Sequence, residues 1–139
     1  AGFGVAVNTC FKNMTKWHSK MAELKQRLRK GILENIPDTV LNGPVLGAPH
    51  ILNISFLKTR GEILLHALEA KDIYVSTGSA CSSHKNVKSH VLKAMDKNVE
   101  EQDSAIRFSL CPFLSLEDME YTVQVLAQEV KEIRKFVRR

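Results

Sequence analysis

Leu116, Met119, Val123, Leu126, Val130, Ile133 and Val137 recur at alternating spacings of three and four residues, which puts all of them on one stripe of an α-helix. Such a helix draws its stability from burying that stripe, so the rest of the chain must supply an apolar partner. Ser115, with Asp118 three residues on, has the pattern of a capping box and sets the start of the helix. Heptad spacing also suits a coiled coil, but three repeats beside strand-like segments predict a helix packed on a sheet.

The preceding segments fit that arrangement. Trp17, Met21, Leu24, Leu28 and Ile32 form a second helical stripe in a helix expected from Phe11 to about Asn35 and ended by Pro37. Asn42-Gly43-Pro44 is turn chemistry, followed by a loop through Pro49. Ile51 to Phe56 alternates like a strand, with Thr39 to Leu41 as a short partner. Gly61-Glu62 opens another helix, Ile73 to Ser76 has strand composition, a short helix is expected from Ser89 to Met95, and Ala105 to Leu110 is a further strand after a polar connection. The expected fold is a two-layer α/β domain with a small mixed sheet covered by helices.

The chain has 139 residues, 44% hydrophobic and 25% charged, with 7 Gly and 4 Pro, which suits one globular domain and excludes collagenous, mucin-like and wholly disordered classes. Residues 1–139 therefore read as a single domain. No apolar run is long enough to span a membrane and no secretory signal pattern opens the chain, so the expected compartment is the cytoplasm. An opening of Ala1-Gly2-Phe3-Gly4 without Met reads as the middle of a longer chain.

Lys and Arg number 20 against 15 Asp and Glu, a net charge of +5 and a pI near 9.2. The excess lies in Lys12 to Lys30, where Glu23 is the only acid, and in the tail from Lys131 to Arg139. Aromatic residues are not interleaved with these charges, so solvated helix faces are expected and direct nucleic-acid binding is not.

The three cysteines have no Cys-x-x-Cys pair, which leaves no disulfide framework or zinc ribbon. Cys10 and Cys111 read as small structural hydrophobes. Cys81 differs, because Thr77 to Ser83 otherwise holds only Gly, Ala, Ser and Thr, with no bulky side chain to fix the thiol in a core. His84, Lys85 and Lys88 add positive charge that favours the thiolate. A plain buried cysteine at a strand-to-helix turn stays open as the alternative. A metal site at Cys81, His84 and His90 lacks a fourth ligand, and the loop matches neither phosphate-binding fingerprint.

Tyr74-Val75-Ser76-Thr77-Gly78-Ser79-Ala80-Cys81-Ser82-Ser83, with His50 to Phe56, Gly61 to Leu68 and Ile106-Arg107-Phe108-Ser109, closely resembles the C-terminal small domain of the pyridoxal-phosphate-dependent cysteine desulfurases, in the class V aminotransferase family of fold-type I enzymes. The resemblance covers nearly the whole chain. It implies that Cys81 takes sulfur from L-cysteine as a persulfide, releases alanine, and passes the sulfur to an acceptor protein, an iron–sulfur scaffold or a thiolation enzyme. Arg107 would grip the substrate carboxylate, a role suited to a planar charged fork. Gly78, Ser79, Ala80 and Ser82 would be active-site loop residues, and the full-length enzyme a homodimer. Leu110-Cys111-Pro112-Phe113 replaces the Gly-Arg-Phe segment of many members, and Lys85, although it follows Ser82-Ser83-His84, matches the far flank of the Cys81 loop and not the position of the family's cofactor-bearing lysine, so the resemblance implies that pyridoxal 5'-phosphate is held outside this chain. The chain alone is then expected to be inactive. The alternative is a free-standing persulfide carrier or partner-binding module.

Overall fold

The computed structural model describes residues 1–77 and 89–137. Along the chain run α1 (Gly2–Asn35), β1 (Thr39–Leu41), β2 (Ile51–Phe56), α2 (Gly61–Glu69), α3 (His90–Ala94), α4 (Val99–Asp103), β3 (Ala105–Ser109) and α5 (Leu116–Val137). The two-layer α/β arrangement is as expected. The described sheet, however, is antiparallel throughout and not mixed, in the order β1-β2-β3.

The core lies on one face of that sheet. Leu52, Ile54 and Phe56 of β2 and Ile106 and Phe108 of β3 meet Leu24, Leu28 and Ile32 of α1, Leu64 and Leu68 of α2, and Met119, Leu126, Val130 and Ile133 of α5. The two helical stripes thus cover the same sheet. Arg27 pairs with Glu120, and a Cβ on Gly31 would fall 2.7 Å from Val123 Cγ2, so α1 and α5 run in the same direction with glycine at their close approach. Ser115 caps α5: its hydroxyl accepts from the Asp118 N–H at 3.1 Å, and the Asp118 carboxylate accepts from the Ser115 N–H at 2.8 Å.

The opposite face is polar. Asn42 donates to the Asn53 side chain and to Ser55 Oγ, and Ser55 Oγ donates to the Glu101 carbonyl of α4. Asp38 and Lys58 both adopt the left-handed conformation, where the chain enters β1 and leaves β2. From α5, the Arg134 guanidinium donates to the carbonyls of Leu57, Pro37 and Asp38, which ties that end of the sheet to the helix layer.

Four local expectations are corrected. The first helix starts at Gly2, nine residues before Phe11, and Phe3, Val7 and Met14 keep the spacing of its stripe although all three are exposed. That leading part has no covering layer: Phe3 and Phe11 are exposed, and packing begins where Trp17 meets Phe113 edge-on at 5.8 Å. Cys10 lies on this part and Cys111 follows β3, and both are exposed, not half-buried in the core. The polar connection before β3 contains α4, capped by an Asn98–Glu101 capping box. Ile73 to Ser76 does not form a strand but meets β3 through a single bridge, Ser76 to Arg107. The reason is local: Asp72 turns left-handed and the Ile73 N–H bonds back to Leu68 O, which holds the segment towards α2 until Ser76.

Candidate functional site

β3 places Arg107. In the antiparallel register Arg107 stands opposite Asn53, so its side chain leaves the sheet on the polar face, away from the core side of Ile106 and Phe108. Its own backbone groups point away from β2 and bond Ser76: the Arg107 N–H donates to Ser76 O at 2.8 Å, and the Ser76 N–H donates to Arg107 O at 3.1 Å. Arg107 is half-buried, and among the described residues no carboxylate pairs with its guanidinium. A planar five-donor fork in that state is free to take a carboxylate in bidentate fashion.

Two neighbours shape this corner. Asn53, across the ladder, accepts the Asn42 amide at 2.8 Å, which orients its side chain beside Arg107. Gly61, first residue of α2, lies so close to Thr77 and to the Asp103 and Ala105 carbonyls that a Cβ would fall 3.1–3.2 Å from all three. Neither was singled out from the sequence, where Asn53 read as the polar residue of a strand and Gly61 as a helix opening. The contacts that distinguish them come from residues distant in the chain. Ser76 likewise takes its place from a pairing that composition alone does not reveal.

Of the residues expected to carry function, Arg107 is placed as described. Cys81, Gly78, Ser79, Ala80 and Ser82 lie outside the described residues, as do His84, Lys85 and Lys88. His90 opens α3.

Pyridoxal phosphate would need a lysine amine, a ring to stack on and donors for its phosphate. Two hollows among the described residues can be compared with that need. The one between α1 and α5 is lined by Arg27, Lys30, Glu34 and Glu120; it has no aromatic ring, and its two cations are already paired with the two glutamates. The other, between residues 71–75 and the start of α5, holds Lys71, Tyr74 and Tyr121, but its remaining charged groups are the carboxylates of Asp72 and Asp118, which would repel a phosphate, and no second cation lines it to hold one. Neither of these two hollows suits this cofactor.

The chain matches the family described as aminotransferase class-V over residues 1–122. It is 38% identical over 134 residues to the cysteine desulfurase of Rattus norvegicus, covering 96% of this chain and 29% of that protein. It is 40% identical over 134 residues to the cysteine desulfurase IscS of Pectobacterium carotovorum subsp. carotovorum, covering 96% and 32%. The solved structure of a NifS-like protein from Rickettsia africae superposes with a TM-score of 0.79 at 26% identity, covering 95% of this chain and 34% of that one. The chain thus spans about a third of the length of the relatives it matches. No described helix is long and apolar enough to cross a membrane. Because the family's pattern runs from the first residue through the sheet that carries Arg107 and into α5, this chain belongs to the aminotransferase class-V family.

Proposed function

We propose that this chain is the C-terminal small domain of a cysteine desulfurase and supplies two groups to the reaction, the Cys81 thiol and the Arg107 guanidinium. The observation that carries the reading is the Ser76–Arg107 bridge: it ties the strand bearing Arg107, which has no carboxylate partner among the described residues, to the segment that reaches Cys81 five residues later. Five residues of extended chain reach at most about 18 Å, so a thiol there can serve a substrate gripped at Arg107. The relatives named cysteine desulfurase support the same reading.

In this account Arg107 holds the carboxylate of L-cysteine and fixes its orientation. The Cys81 thiolate attacks the substrate sulfur; a sulfur–sulfur bond forms, the carbon–sulfur bond breaks, and its electron pair stays on carbon, which takes up a proton. The products are alanine and a Cys81 persulfide, with no external oxidant or reductant. The full-length enzyme would hold pyridoxal phosphate through residues outside this chain, and when bound that group would provide the electron sink for carbon–sulfur cleavage. The persulfide then passes its terminal sulfur to a nucleophile on an acceptor protein, and the full-length enzyme works as a homodimer.

The test is sulfur transfer by the full-length holoenzyme with Cys81 replaced by Ala. Transfer to an added thiol acceptor is expected to stop. Transfer at the wild-type rate contradicts the reading.

A further inference from the structure

We infer that Gly61 is a positioning residue for sulfur transfer: the space left by its missing side chain sets where Thr77 lies, and Thr77 directly precedes the small-residue stretch that carries Cys81. The inference rests on the desulfurase reading above.

Gly61 is buried and is the first residue of α2. Its backbone is not in the left-handed region, so conformation alone does not require glycine, and alanine is the better helix former. Space favours it, because a side chain here fits only if a neighbour gives way by a few tenths of an ångström. A Cβ would stand 3.1 Å from Thr77 Cγ2, 3.1 Å from the Ala105 carbonyl and 3.2 Å from the Asp103 carbonyl. The Thr77 contact is inside the roughly 3.5–4.0 Å of an optimal contact between carbon atoms, and the two contacts with carbonyl oxygens are tight as well.

The three neighbours differ in how well they are held. Ala105 belongs to the β2–β3 ladder, opposite Ser55. Asp103 ends α4 next to Ser104, whose N–H bonds Glu100 O and whose carbonyl accepts from the Phe56 N–H. Thr77 follows a single bridge at Ser76 and lies in no strand. A methyl group added at position 61 therefore displaces Thr77 before it displaces the sheet. Arg107, anchored in the same ladder as Ala105, keeps its place. The expected signature is a fall in turnover without a loss of substrate grip.

The experiment compares the full-length holoenzyme with its Gly61→Ala variant, measuring alanine release and Cys81 persulfide from L-cysteine. Gly61→Ala is expected to lower kcat about tenfold with KM nearly unchanged, within the roughly 10²-fold that a 1 Å misplacement can cost. Adding Thr77→Ser, which removes the crowded methyl, is expected to restore kcat. Wild-type kcat in Gly61→Ala overturns the inference. A defect that Thr77→Ser leaves untouched also overturns it, because the effect would then run through the two carbonyls. Should Gly61→Ala fail to fold, Thr77→Ile crowds the same gap from the other side; a lowered kcat there supports the inference and a normal one overturns it. A wild-type enzyme that forms no Cys81 persulfide overturns the desulfurase reading and this inference together.

Discussion

Ser76 and Arg107 exchange both backbone hydrogen bonds, at 3.1 and 2.8 Å, although they are 31 residues apart and only one of them lies in a strand. This pair joins an ordered ladder to the approach to Cys81. It also leaves the Arg107 side chain on the polar face, where no described carboxylate neutralises it.

Arg107→Ala in the full-length enzyme is expected to reduce kcat/KM for L-cysteine by about 10- to 150-fold, as hydrogen bonds to a charged group contribute roughly 1.5–3 kcal/mol. The loss should fall mainly on KM, and Arg107→Lys should recover only part of it, because an ammonium lacks the planar fork. Thermal unfolding should change little, since the guanidinium holds no described partner. Steady-state kinetics beside a melting curve separate these outcomes.

Arg134→Ala is expected to destabilise the fold. Arg134 donates to the Leu57, Pro37 and Asp38 carbonyls at 2.8–3.2 Å and holds the start of β1 and the end of β2 against α5. Removing these charge-assisted bonds should cost about 1.5–3 kcal/mol in denaturant unfolding. Arg134→Lys should recover less than half of the loss, because one ammonium cannot span the three acceptors.

Two helix caps predict a loss of stability in acid. The Asp118 carboxyl is held below its ordinary pKa by the Ser115 N–H and then the Ser115 hydroxyl. Glu101 is lowered chiefly by the Asn98 N–H, which burial partly opposes, and the Lys97 ammonium lowers it further. A carboxyl with a lowered folded-state pKa contributes stability that is complete above its unfolded value, near about 4, and disappears as pH falls through the folded value. Asp118→Asn should therefore lower stability at pH 7 and flatten the decline below about pH 4. A parallel acid limb in wild type and variant would show that the cap carries no such linkage.

The chain by itself, with L-cysteine and added pyridoxal phosphate, is expected to release neither alanine nor sulfide above the cofactor's own background. Alanine release by the chain alone would mean that the described hollows accept the cofactor after all, against the paired cations of one and the carboxylates of the other.

The features legible in the sequence are those fixed by local periodicity. The stripe from Leu116 to Val137, the Ser115 cap, β2 from Ile51 to Phe56 and the strand holding Arg107 all follow from spacing within one segment. The start of α1 is legible in principle, since Phe3, Val7, Phe11 and Met14 continue the stripe. Asn98 and Glu101 likewise carried the capping-box signal of α4. Ile73 to Ser76 has strand composition yet is pulled towards α2 by the Ile73 bond to Leu68, a choice made by a turn and not by propensity. The crowding at Gly61 was not legible at all, because its neighbours come from three separate places in the chain.

The central claim is that Cys81, and neither Cys10 nor Cys111, carries sulfur. The direct measurement is mass spectrometry of peptides from the full-length holoenzyme after a single turnover with L-cysteine and alkylation of its persulfides. The account predicts one added sulfur atom on the peptide containing Cys81 and none on those containing Cys10 or Cys111. Added sulfur on Cys10 or Cys111 with Cys81 unmodified would contradict it.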